Sequence, residues 1–424
     1  MRLILDRLAA HRAGHATGFY SVCSAHPVVL TAAFVHARDT GDVALVEATS
    51  NQVNQDGGYT GMTPVDFRDL VYRLADSVGL DRTRVLLGGD HLGPNCWQAL
   101  SAEIAMEKSD RLIHDYVSAG FSKIHLDCSM ACAGEPAALG DALIAHRSAR
   151  LAAVAEAAWL ERGGEPPVYI IGSEVPVPGG AHETLAELAV TTPEAALATV
   201  AAHREAFQKA GLTQAWERVV GLVVQPGVEF DHDHVIAYRP EKAIALSRAV
   251  ESVPRLVYEA HSTDYQTRAA LANLVKDHFA ILKVGPAVTF ALREALWALD
   301  NVVADLGVRA QTDSLRATVL ASLRANPKHW QRYYEQTGNS LTLQLQYSLS
   351  DRIRYYWPQP EIVDAVNRVC SLFDQAQPPI SLISQYLPAA VEPLREGRLK
   401  LSAHEMIIHH IRTVLEQYSN ACRA

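Results

Sequence analysis

Polar side chains able to do acid–base or metal chemistry follow each of eight short apolar runs in the first 290 residues. Three of these runs end in a pair of ionisable residues, and the pairs are Asp90 with His91, His125 with Asp127, and Glu259 with His261. Residues two apart in a strand point to the same face, so the second and third pairs each present both side chains together. Imidazole and carboxylate groups in one place are the donors of a catalytic metal site or of a general acid and base.

The eight ends would converge on one rim, because parallel strands alternating with helices place their carboxyl ends on the same side of the fold. Histidines and carboxylates at a buried rim indicate a functional role, since unpaired buried charge is costly. A divalent metal suits this mixture of donors. We expect His91, Glu174 and His261 as its ligands, with Asp127 or Glu259 in reserve. The alternative is a polar layer whose members only hydrogen-bond with one another.

The runs themselves are mostly continuous apolar stretches, as expected for parallel strands covered on both faces. They are Phe19–Cys23, Val43–Ala48, Val85–Gly89, Lys123–Asp127, Val168–Ile171, Val219–Val224, Arg255–Ala260 and Phe279–Val284. Helical patterns separate them, such as Pro64–Val78 and Pro193–Ala210, which each begin with a proline after a capping threonine. Strands alternating with helices in eight repeats predict an α/β fold, a closed (β/α)8 TIM barrel. A doubly wound open sheet is the structural alternative.

From about Trp297 onward the pattern changes to helices with long connectors. Helices are predicted over Gln311–Ala325, Pro360–Leu372 and His404–Ser419, with breaks at Gln377–Pro379 and Tyr386–Pro388. We therefore predict two parts. Residues 1–296 form the barrel, and residues 297–424 form a helical C-terminal extension packed on it.

Composition excludes several classes of function. The 424 residues carry a formal net charge of −9, so we expect no face for nucleic acid or an anionic membrane. No stretch reaches the roughly 18 uninterrupted apolar residues of a spanning helix, and the start, Met1–Ala10, is too charged for a signal peptide. Six cysteines without a CxxC pair predict neither a disulfide framework nor a structural zinc site. Together these features predict a cytoplasmic protein.

Three other polar features are weaker candidates. The string Phe230–His234 could bind a metal but is more typical of a solvated turn. His404 and His409 are five residues apart and miss the four-residue spacing of the HExxH zinc motif, which favours an ordinary amphipathic helix. Lys283 could contact a phosphate, form an imine or pair with a buried carboxylate.

Two arginines among aromatic residues, Arg352 and Arg354, could clamp a phosphate, because guanidinium groups match phosphate oxygens in a bidentate way. A patch that packs against the barrel or another subunit is the competing interpretation. The sequence has neither GxxxxGK[ST] nor a GxGxxG that opens a helix after a strand, so a nucleotide or dinucleotide site is not expected.

Long strings spread over nearly the whole chain resemble the Z-subunit family of D-tagatose-1,6-bisphosphate aldolase. The strings are Ser21–Pro27, Glu47–Gln55, Gly57–Pro64, Gly88–Asn95, Glu174–Gly180, Gln225–His232, Tyr258–Gln266 and Ser348–Pro358. Strings of this length are far more specific than any short motif.

The resemblance implies a barrel similar to the class II, metal-dependent aldolases and a ketohexose or ketohexose phosphate as substrate. In those aldolases an Asp-His pair after the third strand supplies an acid/base and a metal ligand, and Asp90-His91 looks like that pair. Their later ligands are histidines, whereas here the fifth strand offers Glu174 and the seventh His261. Family members are described both as non-catalytic partners of a separate aldolase subunit and as enzymes that epimerise tagatose 6-phosphate at C4.

We hypothesise an isomerase that interconverts D-tagatose 6-phosphate and D-fructose 6-phosphate by metal-assisted retro-aldol and aldol steps. Deprotonating the C4 hydroxyl while the carbonyl is polarised cleaves C3–C4, and the aldehyde can turn over before the bond re-forms. The metal would be zinc, with manganese, nickel or cobalt as alternatives. The catalytic residues would be Asp90, Asp127 and Glu259. The substrate-binding residues would be Ser24, Glu47, Asn51, Gln225, Ser262, Asp264, Lys283, Arg352 and Arg354.

Two other functions stay open on the sequence. The chain could be a Z subunit that supports a Y-type aldolase subunit without catalysis of its own, or it could epimerise unphosphorylated tagatose or fructose. A homo-oligomer is a further expectation.

Overall fold

The computed structural model describes residues 2–173 and 188–423, and at its centre is an eight-stranded parallel barrel. The strands are β1 Phe19–Val22, β2 Ala44–Thr49, β3 Val85–Leu92, β4 Lys123–Leu126, β5 Val168–Ile171, β6 Val219–Val223, β7 Val257–Ala260 and β8 Ile281–Val284. Neighbours in the chain pair with each other, and β1 pairs with β8 through Phe19 opposite Ile281. The predicted (β/α)8 barrel is confirmed, and the open-sheet alternative is excluded by this closure.

Helices follow the strands and continue beyond the barrel. They are α1 Arg2–Arg12, α2 Pro27–Thr40, α3 Pro64–Ser77, α4 Ala102–Ala119, α5 Asp141–Arg162, α6 Pro193–Lys209, α7 Thr213–Trp216, α8 Pro240–Glu251, α9 Arg268–Lys276, α10 Pro286–Asp305, α11 Leu315–Ala325, α12 Gly338–Tyr347, α13 Pro360–Ala376, α14 Ile380–Tyr386, α15 Val391–Arg395 and α16 Ala403–Ala421. Capping explains the sharp start of α3, where Thr63 and Asp66 form a reciprocal capping box ahead of Pro64. No helix in the two described ranges has the length and apolar content needed to cross a membrane.

The amino-terminal end of the barrel is closed by α1. Its Ile4 and Leu8 are buried in one cluster with inward-facing strand residues such as Phe19, Leu86 and Ile281. A second, larger cluster fills the layer between the strands and the surrounding helices. The apolar filling at this end leaves the polar residues at the opposite, carboxyl-terminal end of the strands.

The C-terminal extension packs on the barrel through α16, which contacts α2, α9, α10 and α13. Its Tyr418 hydroxyl donates to the Thr263 carbonyl over 2.7 Å, just beyond the end of β7. The Cys422 carbonyl accepts from the backbone N–H of Gly18, which leads into β1. The boundary predicted between residues 296 and 297 lies inside α10, which spans Pro286–Asp305. This helix follows the last barrel strand and also packs on α13 and α16 of the extension. The helical path first breaks after Asp305.

We expect Leu8→Ala to lower the free energy of unfolding by about 2–5 kcal/mol, because it removes a buried side chain from the base of the barrel. Leu3→Ala is the matched control, since Leu3 lies on the same helix and is 42% exposed. Urea denaturation of both variants checks the difference. Equal stabilities for the two variants would mean that α1 does not form part of the core.

Candidate active site

A cavity of about 890 Å³ opens at the carboxyl ends of the strands, and both the barrel and the C-terminal extension contribute to its wall. The predicted site residues that line it are Ser24, Asn51, Asp90, His91, His261, Ser262, Asp264, Lys283, Arg352 and Arg354. Predicted residues from five strand ends and from the extension therefore share one space. Glu174, a predicted metal ligand, lies outside the described residues.

Four other predicted site residues lie behind this wall and contact protein groups. Glu47, Asp127 and Glu259 are fully buried and interact with lysine or histidine side chains. Gln225 accepts hydrogen bonds from the backbone N–H groups of Gly227 and Val228, and so shapes the turn after β6. These four side chains support the site and do not face the cavity.

A bulge in β3 brings Asp90 and His91 to the same centre although they are adjacent in the chain. The register between β3 and β4 shifts between Gly89 and Leu92, and His91 has a left-handed backbone with φ of 47°. Bulges re-aim side chains, and a non-glycine residue in this region costs conformational energy that the surroundings must offset. The close approach continues at Gly93, where a Cβ atom would lie 1.8 Å from the Asp127 carbonyl oxygen.

Three imidazole rings meet beside the Asp90 carboxylate. The ring centroid of His91 lies 5.0 Å from that of His261 and 5.3 Å from that of His125, and the His125 and His261 centroids are also 5.3 Å apart. His125 Nδ1 lies 2.9 Å from Asp90 Oδ1, while His91 Nε2 lies 3.7 Å from Asp90 Oδ2. We call Asp90, His91, His125 and His261 the histidine–aspartate centre.

Carboxylates behind two of these rings fix their orientation. Asp127 Oδ2 lies 2.8 Å from His91 Nδ1, and Asp127 Oδ1 accepts from the Ser129 hydroxyl over 2.6 Å. Glu259 Oε1 lies 2.9 Å from His261 Nε2. A carboxylate that accepts from one imidazole nitrogen leaves the other nitrogen as a lone-pair donor, as in many metal sites.

The donor set fits a divalent cation. Asp90, His125, Glu259 and His261 each offer one ligand atom, and these atoms all lie within 4.8 Å of one another. His125 is fully buried, and within the described part of the chain its Nε2 has no hydrogen-bond partner. A buried nitrogen without a partner is costly, and a bound cation or substrate group would satisfy it. Imidazole and carboxylate donors suit zinc and neighbouring transition metals.

Two lysines inside the barrel compensate three buried carboxylates. Lys123 Nζ lies 2.6 Å from Glu47 Oε1 and 2.7 Å from Glu259 Oε2. Lys283 pairs with Glu47 and lies 3.0 Å from Asp90 Oδ2 and 3.9 Å from Glu259 Oε1. All five residues are buried. We call Glu47, Asp90, Lys123, Glu259 and Lys283 the buried charge network.

Burial and charge act in opposite directions on the ionisable groups of this centre. Burial would raise the pKa of Asp90, but His91 and Lys283 outweigh it and hold this pKa well below its ordinary value. Burial would lower the pKa of His91, yet Asp90 and Asp127 raise it above the ordinary value. For His261 burial dominates and lowers the pKa to about 4, so the ring is neutral near pH 7. A neutral ring is the form that binds metals.

The extension adds an aromatic and cationic wall to the cavity. The ring of Tyr355 stacks on His329, with centroids 4.9 Å apart and planes 8° apart, and meets the edge of Tyr59 at 4.7 Å. The Arg352 guanidinium lies 3.4 Å from the Tyr333 ring centroid, and Arg354 donates to the Tyr355 hydroxyl over 3.0 Å. This wall lies in the same cavity as the histidine–aspartate centre.

Sequence reasoning left several residues of this region without a role. They are Cys23, Tyr59, Lys123, His125, Lys328, His329, Arg332 and Tyr355. A signal for two of them was present, because Lys123 and His125 alternate with Asp127 along one face of β4. The four residues of the extension depend on its path over the barrel, for which no local pattern exists. Cys23 and Tyr59 follow β1 and β2, but their residue types alone indicate no role.

The weaker candidates keep plain structural roles. Asp231, Asp233 and His234 lie together next to the short antiparallel ribbon of Glu229–Phe230 and Val235–Ile236, and two of the three are exposed. The backbone N–H groups of Asp233 and His234 both donate to Asp231 Oδ1, as in an ordinary turn. His409, on α16, lies 3.1 Å from the Ala389 carbonyl.

A (β/α)8 barrel with acid–base and metal-type donors at the carboxyl ends of its strands belongs to the barrel enzymes. Within that class the chain is a member of the D-tagatose-1,6-bisphosphate aldolase subunit GatZ/KbaZ-like family, which matches residues 4–423. The predicted resemblance is confirmed. Membership associates the chain with a sugar-phosphate function related to tagatose-bisphosphate aldolase.

Solved structures of other proteins are similar to this chain at two levels. A probable tagatose 6 phosphate kinase from Sinorhizobium meliloti 1021 is 49% identical, with 96% of this chain and 100% of that chain covered and a TM-score of 0.89. The fructuronate-tagaturonate epimerase UxaE from Cohnella laeviribosi is 11% identical over 96% of this chain and 81% of that one, with a TM-score of 0.49. The YdjI aldolase from Escherichia coli K12 is 12% identical over 87% and 96%, with a TM-score of 0.42.

We expect Lys123→Met to lower the free energy of unfolding by about 3–5 kcal/mol, because Lys283 is then the remaining lysine of the buried charge network for three carboxylates. Lys108→Met is the matched control. Lys108 also pairs with a carboxylate, Asp56 at 3.0 Å, but on the surface, where such a pair contributes at most about 1 kcal/mol. Urea denaturation near pH 7 measures both, and a loss below 1 kcal/mol for Lys123→Met would contradict the assigned role.

Glu229 provides a pH-dependent test beside the cavity. It is 6% exposed, its Oε2 accepts from the Ser262 hydroxyl at 3.1 Å, and burial raises its pKa from 4.5 to about 7. Because the folded state favours the protonated form, the carboxyl costs no stability below pH 4.5 and an increasing amount as pH rises toward 7. The full cost is about 3 kcal/mol.

Glu229→Gln imitates the protonated form. We therefore expect its stability relative to the natural chain to grow by about 3 kcal/mol between pH 4.5 and pH 8. Denaturation curves at several pH values provide the measurement, with Glu107→Gln on the exposed face of α4 as control. A stability difference between Glu229→Gln and the natural chain that does not change with pH would show that this carboxyl titrates normally.

Proposed function

We propose that the chain is an isomerase that interconverts D-tagatose 6-phosphate and D-fructose 6-phosphate by retro-aldol cleavage and re-addition at C3–C4. The observation that carries the proposal is the histidine–aspartate centre, in which an ionised carboxylate lies beside three imidazoles. Asp90, His91 and His261 of this centre line the cavity, and His125 lies buried behind them. Membership in the GatZ/KbaZ-like family supports a tagatose-type substrate. Zinc is the first choice of cation, with manganese, nickel and cobalt as alternatives.

The ligands in this proposal are His125 and His261, which belong to the donor set described above, together with His91 and Glu174 as predicted from the sequence. Asp90 and Glu259 of that donor set are assigned other roles. When bound, the cation polarises the substrate carbonyl and stabilises the negative charge that develops on its oxygen. Asp127 orients the ring of His91 through Nδ1, at 2.8 Å. This contact occupies Asp127, so we assign it a positioning role in place of the proton transfer hypothesised from the sequence.

Proton transfer falls to Asp90. Its carboxylate lines the cavity and is held in the ionised form, so it can accept the proton of the C4 hydroxyl and return it after C3–C4 re-forms. Lys283, at 3.0 Å from Asp90 Oδ2, stabilises the carboxylate between turnovers. Lys283 is fully engaged with carboxylates, so an imine-forming role is not part of the proposal. Glu259 holds His261 and has the same kind of positioning role as Asp127.

Inversion at C4 requires the aldehyde fragment to turn over while it stays bound. The cavity of about 890 Å³ exceeds the volume of a hexose phosphate, which leaves room for that rotation. The aromatic faces of Tyr59 and Tyr355 offer an apolar surface on the same wall. Retaining both fragments is what separates an epimerase from an aldolase with the same first step.

The test is to incubate the purified chain alone with tagatose 6-phosphate and a divalent metal and to measure fructose 6-phosphate. We expect Asp90→Asn to lower kcat by about 100-fold or more, because the proton acceptor is lost. Asp69→Asn, an exposed aspartate on α3, is the control. Dialysis against a chelator should abolish turnover, and zinc should restore it.

A second candidate follows from the family description, which names a subunit. As a non-catalytic Z subunit the chain would give no fructose 6-phosphate alone, and aldolase activity would rise only when an aldolase subunit is added. That result, or equal activities for Asp90→Asn and the natural chain, would overturn the isomerase proposal. Free tagatose and free fructose are assayed in parallel, because the epimerase of unphosphorylated sugars is the third alternative.

A further inference from the structure

The anion position that barrels commonly offer is occupied in this chain by one of its own carboxylates. In many barrels a phosphate binds at a helix amino terminus beyond the last strands, where backbone N–H groups lack partners. Here α10 begins directly after β8, and the N–H groups of Gly285 and Ala287 donate to Asp264 Oδ1 over 2.9 and 2.8 Å. Residue 286 is a proline and has no N–H to offer. A phosphate at this terminus would meet Asp264 and find both donors engaged.

The cation at the end of β8 is also engaged. Lys283 Nζ pairs with Glu47 and lies 3.0 Å from Asp90, and both carboxylates are buried. Moving this lysine onto a phosphate would take from Asp90 its lysine partner and leave Glu47 to Lys123, which is unfavourable for carboxylates buried inside the barrel. The barrel strands therefore supply no free positive charge at the end of β8.

The C-terminal extension provides the positive charge that the barrel strands lack. Four of its cationic side chains line the same cavity as Asp90, and they are Lys328, Arg332, Arg352 and Arg354. Within the described ranges, none of the four forms an ion pair with a carboxylate at 4.0 Å or less. Such pairs are common elsewhere on this chain, for example Arg150 with Asp110 at 2.6 Å.

The two inner arginines are held in place by backbone groups. Arg352 donates through Nε to the His329 carbonyl, and Arg354 donates to the carbonyls of Ser350 and Asp351. Neutral carbonyls orient a guanidinium without cancelling its charge. Lys328 and Arg332 are exposed and add two further positive charges from a neighbouring segment of the extension.

We propose that Lys328, Arg332, Arg352 and Arg354 form the phosphate-binding site of this chain, so that the extension recognises the phosphate while the barrel reacts with the sugar carbons. The inference rests on the proposed function and specifies its substrate class as a ketohexose carrying a terminal phosphate. A phosphate monoester carries about −1.5 to −2 charges near pH 7. Arginine forks can contact its oxygens in pairs.

The test uses the double variant Lys328→Gln/Arg332→Gln in the full chain, because both side chains are exposed and their loss leaves the core intact. The matched control is Arg368→Gln, which removes an exposed arginine from α13 in the same extension, away from the cavity. The kinetic readout is the ratio of kcat/KM for tagatose 6-phosphate to kcat/KM for free tagatose. The equilibrium readout is the Kd of inorganic phosphate from calorimetric titration.

We expect the double variant to lower the kinetic ratio and to raise the phosphate Kd by about 10- to 100-fold, because each lost contact is a hydrogen bond to a charged group. The control should change neither. If the double variant binds phosphate as tightly as the natural chain, or if the natural chain binds no phosphate at millimolar concentration, the site is refuted. Should the natural chain show no turnover, the isomerase proposal fails, while the phosphate titration still decides this one.

Discussion

The site depends on compensating the charge of three carboxylates inside a barrel that excludes water. Glu47, Asp90 and Glu259 would repel one another if they were buried without cations. Lys123 and Lys283 lie between them and supply the compensating charge at distances of 2.6–3.0 Å for the close contacts. Since a buried ion pair of this kind adds little net stability, its presence is better explained by the charge that it maintains on Asp90.

Buried carboxylates also orient the imidazole rings of the site. His91 and His261 each contact a carboxylate on one ring nitrogen, Asp127 in the first case and Glu259 in the second. Glu259 is in turn fixed by Lys123, so the orientation of the His261 ring depends on a lysine from β4. The three carboxylates predicted from the sequence to be catalytic therefore differ in their distance from the cavity. Asp90 faces the cavity, and Asp127 and Glu259 lie one layer behind it.

The sequence predicts the scaffold well because each strand is short, apolar and followed by polar residues. The sequence predicts less about the site, because the direction in which each side chain points depends on contacts between distant segments. The two-residue spacing places His125 and Asp127 on one face, yet His125 lies against Asp90 and Asp127 lies against His91. The bulge that brings His91 to this centre has no local sequence signal, since the register shift arises from pairing between β3 and β4. In the sequence, Lys123 looks like an ordinary polar residue at the start of a strand, and its burial is not predicted.

The extension completes the cavity because the barrel alone is electrostatically satisfied there. Lys123 of β4 and Lys283 of β8 are each matched by buried carboxylates, and Asp264 occupies the amino terminus of α10. An anionic group on a substrate must then find its partners outside the strands. The extension is fixed firmly enough to offer them, because buried Tyr418 donates to the carbonyl of Thr263, next to Asp264 on the cavity wall. In the proposed function, reaction and recognition thus reside on different parts of one chain.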